Sequence, residues 1–387
     1  MKIMMSAGEA SGDMHAAAVA VELKRMMPEA DIFGMGGADM KKSGVRIIYD
    51  IENLGIIGVV EVIRHIPFFF RLRAFLRKAM VEEKPDVLVC VDYPGFNMKL
   101  AHVAKELGIP VIYYIAPTIW AWNKGRAKNI VRDVEQVASI FPFEAEAYRK
   151  AGAHVTFVGH PLADTVKPSM SFDEAMEYFH GDSSRKRILL MPGSRKNEVA
   201  GLLPIMLKAA EKLAEKEKCQ FFIPRASTIS KDMLLSIIGK TSLSIEITEG
   251  RQYDLMHICT ACVASSGTAT LETALMELPT VLVYKLAPFT WFLANLLVHV
   301  KYAGLPNLLL NREVTPELLQ DRANAENIVS IVLPWLEDEK KREKNVEEIR
   351  EVRKALGSGG AVHRVAELII KTAGAVHGKQ TKQIKQL

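Results

Sequence analysis

Asp92 stands just past an apolar run, Asp86-Val87-Leu88-Val89-Cys90-Val91, and opens the segment Tyr93-Pro94-Gly95-Phe96-Asn97. In open α/β sheets, ligands sit outside the carboxyl ends of strands. A carboxylate there is placed to take a proton from a substrate hydroxyl, with Pro94 and the polar helix-start residues holding the turn. Capping of the following helix is the other use of such a residue. A second chemical signal is Ser265-Ser266-Gly267-Thr268-Ala269-Thr270-Leu271-Glu272, led in by Cys262-Val263-Ala264. This reads as a strand, a tight turn and a helix start. Unpaired amides and the positive end of the helix dipole make an anion site there. Small side chains let a phosphate approach the backbone. Glu272, one turn in, is placed to accept hydrogen bonds from ribose hydroxyls. No Gly-Lys-Ser/Thr follows, so the pattern suits a nucleotide-sugar diphosphate better than ATP. An ordinary small-residue turn has the same composition.

Three further segments belong with these. Pro192-Gly193-Ser194-Arg195 ends another apolar run. Arg195 stays charged and can fork two hydrogen bonds onto a phosphate, or pair with Glu198 one turn on. Gly8-Glu9-Ala10-Ser11-Gly12-Asp13 is a glycine-flanked loop without dinucleotide-binding spacing, expected on the same side as Asp92. Gly8, Glu9, Ser11 and Gly12 are its candidate acceptor-side residues. Asn307, in Leu305-Pro306-Asn307, is placed to orient a hydroxyl or phosphate, or to make a turn.

Parallel strands must carry these residues. Lys2–Met5, Asp31–Met35, Asp86–Val91, Pro110–Ile115, Gln136–Phe141 and Val155–Val158 read as strands, and helical spacing separates them. After a polar stretch from Lys167 to Arg187 the pattern resumes with Arg187–Met191, Cys219–Ile223, Leu243–Ile247, Ala261–Ser265 and Thr280–Tyr284. Such alternation predicts an α/β fold with two parallel sheets, each covered by helices on both faces. The expected domains are 1–165 and 183–340, with helices over 341–372 that cross back to the first domain or to a partner chain, and a disordered basic tail at 378–387.

Composition narrows the class. The chain has 387 residues, enough for two cores, and its 49% hydrophobic and 25% charged residues suit a globular protein. The four cysteines lie in apolar segments, and Cys259-Thr260-Ala261-Cys262 has no second pair to complete a zinc site. They are expected as buried thiols in a reducing compartment, and no metal or other cofactor is expected. The apolar stretch Leu286–Val300 falls short of the roughly 20 residues a membrane span needs. Net charge is +5, yet Ile63–Val81 carries five Arg and Lys with no acid. Phe68, Phe69, Phe70, Leu72, Phe75 and Leu76 interleave there with Arg71 and Arg73. Three successive phenylalanines cannot all face one core in a helix. Apolar groups edged by cations suit an anionic bilayer surface. A core helix with a solvated basic face is the alternative. Nucleic acid fits less well, because the aromatics sit in one run and no recognised module is visible.

Taken in order, Ser6–Asp13, Met35-Gly36-Gly37, Asp92–Asn97, Pro117–Trp122, Phe141–Glu144, Gly159–Asp164, Pro192–Arg195, Ser265–Glu272 and Leu305–Asn307 resemble the lipid-A-disaccharide synthase family from Met1 to about Thr372. The resemblance implies a glycosyltransferase-B architecture, with two Rossmann-like domains facing across a cleft. It implies transfer of 2,3-diacylglucosamine from its UDP donor, UDP-2,3-diacylglucosamine, to the 6-hydroxyl of 2,3-diacylglucosamine 1-phosphate, with inversion and without a metal. It also implies a cytoplasmic enzyme, monomer or homodimer, held on the anionic inner-membrane surface of a Gram-negative-type cell. Carried over residue by residue, Asp92 is the general base. Ser194, Arg195, Ser266, Gly267, Thr268, Ala269, Thr270, Glu272 and Asn307 contact the donor. Phe68–Arg73, Phe75 and Leu76 face the membrane. The same architecture serves UDP-N-acetylglucosamine 2-epimerases and muramyl-pathway transferases, and a non-catalytic nucleotide-sugar sensor remains open.

Overall fold

A computed structural model describes residues 1–52, 66–118, 124–287, 291, 301–357 and 359–384. The motif residues Ile119–Trp122 and most of the apolar stretch 286–300 lie outside the described residues, as do residues 385–387. The chain divides into two compact units, Met1–Pro161 with Ser358–Leu387, and Leu162–Gly357.

The first unit is built on a seven-stranded, all-parallel sheet of order β3-β2-β1-β4-β5-β6-β7. Its strands are β1 (Lys2–Ala7), β2 (Asp31–Gly36), β3 (Arg46–Asp50), β4 (Val87–Val91), β5 (Val111–Tyr114), β6 (Gln136–Ser139) and β7 (Val155–Phe157). Its helices are α1 (Ala10–Met26), α2 (Ala38–Lys42), α3 (Ile66–Glu83), α4 (Pro94–Glu106), α5 (Lys124–Asp133) and α6 (Pro142–Lys150). β4 is buried at every residue, as its unbroken apolar run requires of a strand covered on both faces. β3, at the sheet edge, is exposed or half-buried along its length and had no comparable signal.

The second unit carries a six-stranded parallel sheet of order β10-β9-β8-β11-β12-β13. These strands are β8 (Lys186–Met191), β9 (Cys219–Pro224), β10 (Ile245–Thr248), β11 (Ala261–Ser265), β12 (Thr280–Tyr284) and β13 (Glu317–Leu319). The helices include α7 (Leu162–Thr165), α8 (Phe172–Tyr178), α9 (Lys196–Ala214), α10 (Lys231–Ile238), α11 (Gln252–Ile258) and α12 (Thr268–Leu275). One face of the sheet packs on α9 and the helix Ala325–Glu337, through residues such as Leu203, Met206, Ile328 and Val332. The other face packs on α8 and α11 through Phe179, Leu255 and Ile258. α8 opens on a reciprocal capping box between Ser171 and Glu174.

The two final helices part company. Glu339–Ala355 stays with the second unit, where Arg353 donates to the carbonyls of Ala163, Val166 and Leu275 at 2.8–3.2 Å. Ala361–Ile384 returns to the first unit and packs along α1, with His363 Nδ1 2.6 Å from Glu22 Oε1 and Arg364 donating to the Val158 carbonyl at 2.7 Å. The expected disordered tail is corrected as far as residue 384, because this last helix runs through it.

Two of the residues expected to face a membrane are corrected as well. Leu72 and Leu76 repeat at helical spacing, and both lie in the core with Met80 and Leu100. Phe68 and Phe69 are half-buried, whereas Phe70, Arg71 and Phe75 are exposed. Among the described residues no helix is long and apolar enough to cross a membrane.

Candidate active site

In the first sheet β1 and β4 are neighbours, but the chain leaves β1 toward β2 and leaves β4 toward β5. Such reversal points open a crevice at the strands' carboxyl ends. The Gly8–Gly12 loop follows β1 there, and Asp92 follows β4. The backbone of Gly8 lies under the Tyr93 ring, and a Cβ on it would collide with that ring. This close approach explains the glycine. On the other side of the loop, a Cβ on Gly12 would stand 3.3 Å from the Val91 carbonyl oxygen and 3.8 Å from Asp92 Cβ.

Asp92 and Tyr93 both adopt left-handed backbone, with φ of 49° and 51°. For residues bearing a Cβ this costs about 1–2 kcal/mol each. Surrounding hydrogen bonds fix the turn. The Asp92 carbonyl accepts from the Tyr113 hydroxyl at 3.0 Å and from Asn97 Nδ2 at 2.9 Å. Asn97 is fully buried, donates also to the Ser6 carbonyl at 3.0 Å, and accepts from Ser6 Oγ at 2.7 Å. The Asp92 amide donates to the Tyr114 carbonyl. Tyr93, with no side-chain capping bond, is the N-cap of α4, and Pro94 starts the helix. Burial raises the Asp92 carboxyl above its ordinary range, against a hydrogen bond from the Tyr93 amide that lowers it. Burial also raises Glu9, and the nearby Asp92 charge adds to that rise.

The second sheet repeats the arrangement. β8 and β11 adjoin at its reversal point, followed by Pro192–Arg195 and Ser265–Glu272. Gly267, with φ of 141°, is the N-cap of α12 and takes a conformation closed to other residues. The amides of Thr268 and Ala269 at the start of α12 have no partner within the helix. They border a polar cavity of about 380 Å³ lined by Gly193, Ser194, Arg195, Ser265–Ala269 and Glu272, together with Arg225 and Gln252. Glu272 accepts from the Tyr253 hydroxyl at 3.0 Å and Gln252 Nε2 at 3.4 Å, and burial raises its carboxyl. The Arg195 side chain is 78% exposed and pairs with Glu198 at 2.9 Å. That ion pair is one of the two uses its spacing allowed, and it leaves most of the guanidinium facing solvent in the cavity.

Two expected donor contacts are corrected. Thr270 is buried, and both its hydroxyl and its amide bond back to the Gly267 carbonyl. Asn307 is likewise buried. Its Nδ2 donates to the Thr315 carbonyl at 2.6 Å and to Glu317 Oε1 at 2.7 Å, and its Oδ1 accepts from the amides of Val314 and Thr315. All four of its hydrogen-bonding positions are engaged within the protein. It fixes the loop between the helix Leu305–Leu310 and β13, where Glu317 also accepts from the Ala303 and Gly304 amides. Among the described residues no group of three or more His, Cys, Asp or Glu is gathered as a metal ion would need.

Sequence reasoning missed several members. Arg225 follows β9, and Gln252 and Tyr253 follow β10. The strand-end rule that pointed to Asp92 reaches them too. Tyr113 gave no signal, because its role depends on its neighbour strand.

A family model described as lipid-A-disaccharide synthetase matches residues 3–370. A lipid-A-disaccharide synthase from Geobacter sulfurreducens is 41% identical over 374 residues, covering 96% of this chain and 97% of that protein. One from Syntrophus aciditrophicus is 38% identical over 370 residues, covering 95% and 97%. Among solved structures, a UDP-GlcNAc 2-epimerase from Neisseria meningitidis bound to UDP-GlcNAc superposes with a TM-score of 0.66 at 13% identity, over 96% of this chain and all of that one (100%). A glycosyltransferase from Rickettsia africae gives 0.61 at 12% identity, over 96% and 98%. At such identities the likeness is one of fold, the glycosyltransferase-B type with two Rossmann-like units.

Proposed function

The chain belongs to the lipid-A-disaccharide synthase family, and on that premise we propose how its residues divide the work of the reaction. The enzyme is an inverting hexosyltransferase. It moves 2,3-diacylglucosamine from UDP to the 6-hydroxyl of 2,3-diacylglucosamine 1-phosphate, giving the β-1,6-linked disaccharide 1-phosphate and UDP. The first unit supplies the base. A sugar hydroxyl is a poor nucleophile until its proton leaves in the transition state, and a carboxyl whose burial raises its proton affinity is suited to receive it. Asp92 takes that role, and the bonds from Asn97 and Tyr113 position it.

The second unit holds the donor. As the bond to the anomeric carbon breaks, charge develops on the β-phosphate of UDP. The amides of Thr268 and Ala269 at the start of α12 and the Arg195 guanidinium stabilise that charge. Ser194, Ser266 and Gly267 let the diphosphate approach the backbone, and Glu272 accepts from the ribose. Attack from the side opposite the leaving group inverts an α-linked donor to a β product. The outer face of α3, with Phe70, Phe75 and Arg71, meets the anionic surface of the inner membrane from the cytoplasmic side.

The observation that carries this division is the contrast between the desolvated carboxylate after β4 and the small-residue polar cavity after β11. The test is UDP release from UDP-2,3-diacylglucosamine by purified protein in detergent with EDTA, with and without 2,3-diacylglucosamine 1-phosphate. Acceptor-dependent UDP and a phosphorylated disaccharide support it. Conversion of UDP-N-acetylglucosamine without any lipid acceptor would move the assignment to an epimerase.

A further inference from the structure

Beside Asp92 lies a cavity that the chemistry above does not use. It belongs wholly to the first unit and has a volume of about 410 Å³. That is within the roughly 300–1,000 Å³ typical of ligand pockets. Phe69 and Phe70 of α3 form one wall, and Tyr93, Pro94, Gly95 and Phe96 at the start of α4 form the other. Phe96 is buried at 4% exposure and touches Phe69 and Tyr93 ring to ring, so the walls are largely aromatic. Side chains of both signs line it. Glu9, the neighbour of Asp92, lines one part. Arg73 and Lys99 line another, Arg73 lying 4.9 Å over the Phe70 ring and Lys99 more than a turn into α4. No ion pair engages either cation among the described residues.

We propose that this cavity takes an acyl chain of the acceptor and that Arg73 and Lys99 bind the acceptor's phosphate. The proposal rests on the assignment of Asp92 as the base for the acceptor hydroxyl. The chemistry of the acceptor fits the distribution of charge. Its phosphate is on C1, adjacent to the acylated nitrogen on C2, so an acyl anchor and cations at its mouth serve neighbouring ring positions. The reacting 6-hydroxyl hangs from C5, across the ring from C2. A chain seated between the aromatic walls, with the phosphate on Arg73 and Lys99, therefore turns the 6-hydroxyl toward the carboxylates. Glu9 reinforces that direction, because a carboxylate repels the phosphate and accepts from a hydroxyl. An aromatic wall with a cation over it also suits the boundary between chain and headgroup.

Gly95 makes the proposal testable. It sits in the first turn of α4, and a Cβ there meets nothing within 4 Å. A larger side chain is accepted by the backbone at a position that lines the cavity. Wild type, Gly95→Leu and the double variant Arg73→Met/Lys99→Met are compared in detergent micelles, by disaccharide formation with acceptors bearing butyryl or myristoyl chains, with and without the 1-phosphate. Circular dichroism and thermal midpoints confirm folding. Each methylene withdrawn from water contributes about a fourfold factor in affinity. Gly95→Leu is expected to lower kcat/KM for the myristoyl acceptor at least about tenfold more than for the butyryl one. An equal loss with both chains overturns the acyl assignment. The double variant is expected to raise the KM for the phosphorylated acceptor about tenfold and to narrow its advantage over the unphosphorylated one. Sedimentation with phosphatidylglycerol vesicles separates the two sources of phosphate. Loss of vesicle binding with unchanged acceptor KM in micelles assigns Arg73 and Lys99 to the membrane surface and overturns the phosphate site. Wild-type protein that makes no disaccharide from any acceptor overturns the functional assignment itself, and this proposal with it.

Discussion

The turn after β4 and the turn after β11 occupy the same place in two similar sheets, yet they are held by opposite means. After β11 a glycine takes the unusual backbone, with φ of 141°, and small residues leave helix-start amides bare around a polar cavity. After β4 two residues with full side chains take left-handed backbone, and a buried network around Asn97 holds them there. The first arrangement presents backbone, which recognises an anion without needing a side chain. The second presents one carboxylate in a desolvated setting, which an acid–base step needs. One strand–turn–helix junction thus offers two kinds of surface, bare backbone where the turn relies on the absence of a Cβ and a held side chain where it does not.

The largest test of the contrast is Asp92→Asn. Turnover is expected to fall at least about a hundredfold while the fold persists, since an acid–base group contributes about 10²–10⁴. A base must be ionised to act, and burial raises the Asp92 carboxyl. In wild type kcat/KM therefore falls as pH drops through a value above the ordinary 3.9 or so of aspartate, and that acid limb should vanish in the variant. The linkage sign follows. A carboxyl raised in the folded state favours folding at pH below its unfolded value, and that benefit is lost as pH rises through the folded value. At neutral pH Asp92→Asn should thus melt no lower than wild type. Near-normal turnover in the variant, read from disaccharide yield, removes Asp92 from the base role.

Gly267→Val probes the other turn. The φ there is closed to a β-branched residue, so strain of about 1–3 kcal/mol is expected, with a thermal midpoint lowered by a few degrees. Donor KM should rise about tenfold or more as the amides shift, while the acid limb set by Asp92 stays in place. A shifted limb would mean the two turns are not independent.

The strands that carry both turns were plain in the sequence, because β4 and β11 are unbroken apolar runs buried at every residue. β3 and β13 were not, one being an exposed edge strand and the other only three residues long. The candidate site residues divided along a similar line. Asp92, Ser194, Gly267 and Glu272 follow strand ends, where topology alone favours a ligand. Thr270 misled because its hydroxyl type outweighed its helical phase. It points inward with Leu271 and Thr273, while Thr268 and Glu272 line the cavity. Leu72 and Leu76 misled for the same reason, their core-facing spacing masked by the phenylalanines around them. Asn307 could not be read locally at all, because its partners lie eight and ten residues on and are set by tertiary folding.

Arg195→Met gives a smaller effect and decides between the two uses of that side chain. If Arg195 binds the diphosphate, a charged hydrogen bond contributes about 1.5–3 kcal/mol and donor KM rises at least about tenfold. If it serves only its exposed pair with Glu198, about 0–1 kcal/mol of stability is lost and donor KM stays put.

Tyr113→Phe should have the smallest effect and speaks most directly to how the Asp92 turn is held. The variant removes one hydroxyl donor from the Asp92 carbonyl and leaves the ring in its buried place on β5. The carbonyl keeps its bond from Asn97, so no buried acceptor is orphaned. A net cost of about 1 kcal/mol in chemical unfolding is expected. The consequence for catalysis is separable from that cost. If the network fixes the direction of the Asp92 carboxylate, kcat falls about two- to fivefold with donor KM unchanged, because the donor site is built on the other sheet. Asn97→Ala breaks the bonds to Ser6, Val91 and Asp92 together, and it should reproduce the same kcat-selective pattern at larger amplitude. A Tyr113→Phe enzyme that loses stability but keeps its full kcat would show that the left-handed turn holds its geometry on Asn97 and Pro94 alone.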